Sequence, residues 1–214
     1  MNFKVFVHQI KESYNIMKNL ILEMEEYAKE QNVPIMQKDG IAFLMKYIKS
    51  HNIKNVLEIG SAIGYSAILM ASSTADVKVT TIERDENSYI KCLKNVKKSG
   101  LEEKINVVFQ DALEVNLAEN TYYDLIFIDA AKGQYQKFFE KFKYFLAPGG
   151  AIITDNMNFH GYVGKSDKIE SKNLRRLVEH IEEYREFLKN NEEFDTKIYD
   201  IGDGIALSVR KNEE

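Results

Sequence analysis

The chain has one cysteine, Cys92, and two prolines, Pro34 and Pro148, in 214 residues. A lone cysteine excludes an internal disulfide, and a reducing, cytoplasmic setting is expected. With so little proline there is no Pro-rich linker. No repeat or low-complexity stretch marks a boundary either, so residues 1–214 read as a single domain. No apolar run approaches the ~20 residues that span a bilayer, and no membrane partner is expected. The opening stretch from Met1 to His8 meets charged residues too soon to serve as a secretory signal. A strong excess of one charge is also missing, since the net charge is −4. No global field therefore attracts nucleic acid, which argues against a general DNA or RNA binder but leaves a local basic face open.

What the chain does have is alternation. Ile10, Met17, Leu20, Ile21, Met24 and Tyr27 recur at helical spacing within residues 4–30. Asp39 can cap a second helix running to about Ser50, so residues 1–50 form an N-terminal helical region. Strand-like runs follow at 55–59, 78–82, 105–109, 124–128 and 151–154. Helix-like segments lie among and beyond them at 65–72, 86–99, 134–145 and 173–190. A last strand pair, 196–200 and 204–209, flanks Gly202-Asp203-Gly204. The pattern predicts an α/β fold for residues 51–214: a Rossmann-like, mostly parallel seven-stranded sheet with an antiparallel C-terminal edge hairpin. Ligands of such sheets bind outside the carboxyl ends of the strands.

Three motifs fall at those ends. The first is Glu58-Ile-Gly60-Ser-Ala-Ile-Gly64-Tyr65-Ser66. Gly60 allows a sharp backbone turn beneath a ligand, and Gly64 allows close approach of the following helix. The glycine spacing differs from the Gly-x-Gly-x-x-Gly of dinucleotide folds. Glu58 would repel a pyrophosphate and welcome a cation. S-adenosylmethionine (SAM), which carries a sulfonium and an ammonium, fits that preference; NAD fits it poorly. Glu83, at the end of the second strand, can accept both ribose hydroxyls. Asp111 and Ala112, after the third, can meet the adenine amino group and a ring nitrogen. A plain strand-to-helix turn and solvated strand-end acids are the bland alternatives.

The third motif pairs Asp129 with Asp155-Asn156 across two strand ends. Three hard oxygen ligands suit Mg²⁺, or another divalent cation such as Ca²⁺ or Mn²⁺. His8, His51, His160 and His180 are scattered, which disfavours zinc. Taken singly, Asp129 could cap a helix and Asp155-Asn156 could form a turn.

With these runs and Asp129-Ala-Ala-Lys132, the chain resembles the SAM- and metal-dependent O-methyltransferases of the catechol and caffeoyl-CoA group. The runs Val33-Pro-Ile-Met36, Phe127 to Tyr135 and Gly202-Asp-Gly204 most resemble bacterial tRNA 5-hydroxyuridine methyltransferases. The resemblance implies that Met36, Tyr65 and Ser66 contact SAM. It also implies that Lys132 is a general base or an oxyanion stabiliser, with Asp129 as its catalytic neighbour. It further implies a homodimer and an anticodon-loop substrate. A catechol-like or caffeoyl-CoA-like acceptor is the alternative, and a non-catalytic SAM- or RNA-binding module is a third reading. Lys165, Lys168, Lys172, Arg175 and Arg176 could form a basic rim, with Phe159 and Tyr162 interleaved before it. Asp167, Glu170 and Glu179 dilute that rim, and a solvated helical face explains it equally well.

Overall fold

The computed structural model describes residues 3–211. Helix α1 (Phe3–Gln31) and helix α2 (Lys38–Ser50) precede a seven-stranded sheet. Of the expected apolar positions of α1, Ile10 lies outside the described side chains. Of the others, Leu20 and Met24 are buried and Met17, Ile21 and Tyr27 partly so; together with Ala28 they join Ile41, Leu44 and Ile48 of α2 in one core. Asp39 does not cap α2. The cap position is Gln37, whose side chain makes no capping bond, and Asp39 lies in the first turn, where its charge still favours the helix dipole.

The strands are β1 (Asn55–Ile59), β2 (Lys78–Glu83), β3 (Ile105–Phe109), β4 (Tyr123–Ile128), β5 (Leu146–Thr154), β6 (Phe194–Tyr199) and β7 (Ile205–Arg210). Their spatial order is β3-β2-β1-β4-β5-β7-β6. The first five run parallel and β7 pairs antiparallel with both β5 and β6, as the sequence pattern predicts. The helices are α3 (Tyr65–Ser72), α4 (Glu86–Ser99), α5 (Tyr135–Phe142) and α6 (Lys172–Lys189). Successive strand residues point to opposite faces. Val56, Leu125 and Phe127 accordingly enter the core under α1–α4, while Leu57, Ile126 and Ile128 enter the core under α5 and α6. Both faces are covered, which is why these strands read as continuous apolar runs.

Two boundaries differ from the sequence reading. The segment 134–145 is α5 with a 3-10 turn on each side, Lys132–Gln134 and Lys143–Phe145. β5 begins at Leu146, ahead of Pro148-Gly149-Gly150, because Leu146 pairs with Tyr123 before the register shifts and Ala151 pairs with Leu125. Proline survives there because the ladder is interrupted at that point. At the opposite end of the sheet from the cleft described below, the Asp124 carboxylate accepts from the backbone N–H of Lys54 and of Asn55, each at 2.8 Å. It ties the start of β4 to the start of β1.

Candidate active site

A cleft of about 230 Å³ opens at the carboxyl ends of β1, β2, β4 and β5. Met36, Gly60, Tyr65, Ser66, Glu83, Asp111, Ala112, Asp129, Lys132, Asp155 and Asn156 all line it. The sequence-predicted residues are thus brought together, with one exception. Glu58 is fully buried beneath the cleft and does not line it. Its carboxylate accepts from the Ser66 hydroxyl and, at 2.5 Å, from that of Thr81. Direct contact between Glu58 and a cofactor is not what the fold provides; Glu58 reaches the cleft through Ser66. Burial pushes its carboxyl up to about 7, against the opposing hydrogen bonds from Ser66 and Thr81.

The glycine loop turns where the sequence places it. Gly60 has φ +94°, and a Cβ there would fall on the carbonyl oxygen of Asp129, so only glycine fits. One Glu83 oxygen accepts from the Ala62 N–H at 2.9 Å, and the other from the N–H groups of Arg84 and Asp85 at 2.9 and 2.8 Å. Glu83 therefore stitches β2 to the glycine loop as well as facing the cleft. Asp111 accepts from the Leu113 N–H at 2.8 Å and pairs with Arg84 at 3.2 Å. These contacts hold its carboxyl below the ordinary range. Tyr65 donates to Glu25 of α1 at 2.9 Å, closing one wall of the cleft with the N-terminal helix.

The charged residues of the lining are Glu83, Asp111, Asp129 and Asp155 against Arg84 and Lys132. Four acids to two bases favour a cationic ligand over a pyrophosphate, so the lining fits SAM.

On the other side of the cleft, Asp129 and Asp155 end β4 and β5. Burial raises the pKa of both, and each carboxylate is further opposed by neighbouring ones: Asp203 for Asp129, and Asp129 and Asp203 for Asp155. The Lys132 ammonium pulls both the other way. Two low-solvation carboxylates that repel each other form a place where a cation is stabilised. The Lys132 Nζ donates to the Asn156 Oδ1 at 2.7 Å. No cluster of three His, Cys, Asp or Glu arranged to hold a metal occurs among the described residues, so a cation here would rest on two carboxylates and an amide oxygen. That donor set fits Mg²⁺, which keeps several waters, better than a closed all-protein cage.

Sequence reasoning missed three residues. Asp203 is buried between β6 and β7, accepts from the Asn156 Nδ2 at 3.2 Å, and accepts from the His160 backbone N–H. It turns the Asn156 amide so that Oδ1 faces Lys132. The available signal was the glycine on each side of it: Gly204 has φ +87°, and a Cβ there would meet the Asn158 nitrogen at 2.6 Å. Tyr135 has a fully buried hydroxyl without a hydrogen-bond partner among the described residues, close enough to Asp129 and Asp155 for their charge to raise its pKa further. Gln134 lines the cleft as well. Neither Tyr135 nor Gln134 can be told from an ordinary helix start in sequence. His160 lies at the edge of the site, 3.6 Å from Asp203.

The chain matches the O-methyltransferase family over residues 9–211. It is 31% identical over 186 residues to a caffeoyl-CoA O-methyltransferase of Populus kitakamiensis, covering 84% of this chain and 78% of the relative. A crystal structure of a Staphylococcus aureus protein proposed to be a caffeoyl-CoA O-methyltransferase superposes with a TM-score of 0.84 at 37% identity, covering 89% of this chain and 92% of that one. The O-methyltransferase of Bacillus cereus, solved in complex with S-adenosylhomocysteine, shares the fold with a TM-score of 0.76 at 24% identity, over 90% of this chain and 91% of that one. The carboxyl-end cleft and the match along almost the whole sequence agree, and the chain belongs to the O-methyltransferase family, of caffeoyl-CoA O-methyltransferase type.

Proposed function

We propose that the protein is a SAM- and Mg²⁺-dependent O-methyltransferase that converts 5-hydroxyuridine at the wobble position of tRNA to 5-methoxyuridine. The observation that carries the chemistry is the placing of Asp129, Asp155, Asn156 and Lys132 in one cleft with the glycine loop and Glu83. When bound, SAM supplies an electrophilic methyl group, and a divalent cation lowers the pKa of an acceptor hydroxyl and orients it. Asp129, Asp155 and Asn156 would hold that cation. Gly60, Ser66, Glu83 and the Asp111–Ala112 turn would hold SAM, with Met36 and Tyr65 as its apolar wall. Lys132 is placed to take the acceptor proton or to balance the oxyanion left behind. Alignment of acceptor and donor supplies much of the acceleration.

The acceptor must offer two adjacent oxygens to chelate one cation. A 5-hydroxyuracil ring does so through its 5-hydroxyl and 4-carbonyl. The tRNA assignment rests on the resemblance of the Val33–Met36, Phe127–Tyr135 and Gly202–Gly204 runs. It is supported by Lys168, Lys172 and Arg176, which are exposed and whose side chains make no hydrogen bond or ion pair among the described residues. Such cations suit phosphate. The expected form is a homodimer in the cytoplasm.

A catechol-like or caffeoyl-CoA-like small molecule is the second reading, favoured by what the Populus relative is named for. Methylation assays with SAM and Mg²⁺, run on hydroxyuridine-containing tRNA and on a catechol, separate the two. Transfer to tRNA that stops with a chelator is the expected result. Turnover of the catechol alone would overturn the tRNA assignment and leave the chemistry standing. If tRNA from a strain lacking the gene keeps its 5-methoxyuridine, with no second enzyme present, the tRNA reading fails.

A further inference from the structure

Gln134 stands at the head of α5 with its side chain in the cleft. Its Oε1 is buried and has no hydrogen-bond partner among the described residues. A buried acceptor left unpaired is costly, so such an atom in a ligand cleft points to a donor that arrives with the ligand. The fold indicates which part of the ligand that is. Gln134, Phe138 and Lys141 follow at helical spacing and form one stripe. The Lys141 Nζ donates to the carbonyls of Ala112, Leu113 and Val115 at 2.9, 2.7 and 2.7 Å. It fastens this stripe onto the turn that follows β3. Phe138 and Ala112 both line the cleft and share one apolar cluster. Gln134 is the polar group at the cleft end of that stripe.

This is the end of the cleft beyond Glu83, where a purine would lie. Asp111 is the other acceptor expected for its amino group; each of its oxygens receives one bond, from the Leu113 N–H and from Arg84, and keeps a second lone pair, so Gln134 adds an acceptor beside it. We propose that Gln134 is a cofactor-binding residue whose amide oxygen accepts a hydrogen bond from the exocyclic amino group of adenine. The assignment rests on the SAM reading above. It makes Gln134 a residue that distinguishes adenine from a 6-oxopurine, and Lys141 the tie that keeps the Gln134 stripe against the purine wall.

Calorimetric binding of S-adenosylhomocysteine and of its deaminated analogue, S-inosylhomocysteine, tests this without any turnover. The wild-type protein is expected to prefer the adenosine compound about tenfold, because the site is built around a donor that the analogue lacks. Gln134→Leu should weaken adenosine binding several-fold and lower the preference by a similar factor. Gln134→Glu, which keeps an acceptor and removes the amide donor, should retain the preference. A Gln134→Leu protein that melts normally and still discriminates as the wild type does would overturn the assignment. So would loss of discrimination in Asp111→Asn with discrimination intact in Gln134→Leu. If Gln134→Leu does not fold, a wild-type protein that binds both compounds equally overturns it. Failure of the wild type to bind either compound overturns the SAM reading itself, a result distinct from the others.

Discussion

The Lys132 ammonium sits 2.7 Å from the Asn156 Oδ1, on an amide oxygen that a divalent cation would also use. Lysine and a metal held there would share one ligand atom, and the ammonium would compete with the metal for it. The two carboxylates beside it, Asp129 and Asp155, are partly neutralised by the same lysine.

Lys132→Met should thus have two opposite effects. Mn²⁺ or Mg²⁺ affinity should rise roughly threefold to tenfold, because a competing positive charge is removed from a poorly solvated site. Turnover should fall by roughly 10²-fold or more, the scale of a lost proton-transfer group. Metal titration by calorimetry and steady-state rates, both on the purified variant, check the pair. Metal affinity unchanged alongside lost turnover would show that lysine and cation do not share the oxygen.

Asp129→Ala should be the more damaging change of the two. Asp129 lines the cleft at the join of the cofactor loop and the cation ligands, and its carbonyl packs against Gly60. Turnover should drop below that of Lys132→Ala at every Mg²⁺ concentration up to saturation. Rescue of Asp129→Ala by high Mg²⁺ to the level of Lys132→Ala would reverse this ordering.

Asp203→Asn tests the orientation of the Asn156 amide. The Asp203 carboxylate accepts from the Asn156 Nδ2, and a second amide in its place can present the wrong group. Outer partners of metal ligands are worth roughly 10- to 100-fold in affinity, so Mg²⁺ binding should weaken within that range while far-UV circular dichroism stays unchanged.

Glu58 predicts a pH dependence of stability. Its folded pKa of about 7 lies above the ordinary carboxylate value of 4.5, so the folded state holds the proton more tightly than the unfolded chain. The associated stability is full below pH 4.5, declines as pH rises between 4.5 and 7, and is gone above 7. The loss amounts to about 3 kcal/mol at most. Glu58→Gln should flatten this slope, because a neutral amide needs no proton to be buried, and leave only the share that the raised Asp129 and Asp155 carboxyls contribute. Urea midpoints of both proteins without ligand, taken from pH 4.5 to 7.5, give the comparison, and parallel curves would contradict it.

Gly60→Ala should cost roughly 1–3 kcal/mol from the left-handed backbone alone, with a Cβ directed at the Asp129 carbonyl in addition. Melting temperature and S-adenosylhomocysteine binding should fall together. A variant that melts normally would mean that the loop relaxes around the methyl group.

The strand ends were legible in the sequence because each carries a polar residue after an apolar run. Glu83, Asp129 and Asp155 stop their strands where the chain leaves the sheet, and both cores require the preceding residues to be apolar. The glycine loop was legible because left-handed backbone leaves a residue-type trace. Glu58 was misplaced by the same logic: its position two residues before Gly60 put it near the loop, but strand alternation turns its carboxylate down onto Thr81. Asp203 left only the glycines that flank it, since its partners Asn156 and His160 are 47 and 43 residues away, and Gln134 left no trace, since its partner arrives with a ligand. Lys141 could not be picked out in sequence, because the three carbonyls it binds belong to a turn 26 to 29 residues earlier.

The segment that leaves β5 holds Asn156, Phe159 and His160 at φ of 61°, 39° and 55°, all on the left-handed side. Asparagine tolerates this; phenylalanine and histidine do so only under constraint. The segment is therefore a place where the protein is expected to gain robustness by giving up activity. Glycine at 159 or 160 would relax the backbone, and glycine at 156 would do so while deleting a ligand oxygen. A library selected for heat resistance alone should accumulate substitutions here first, and the survivors should be well-folded proteins that no longer methylate.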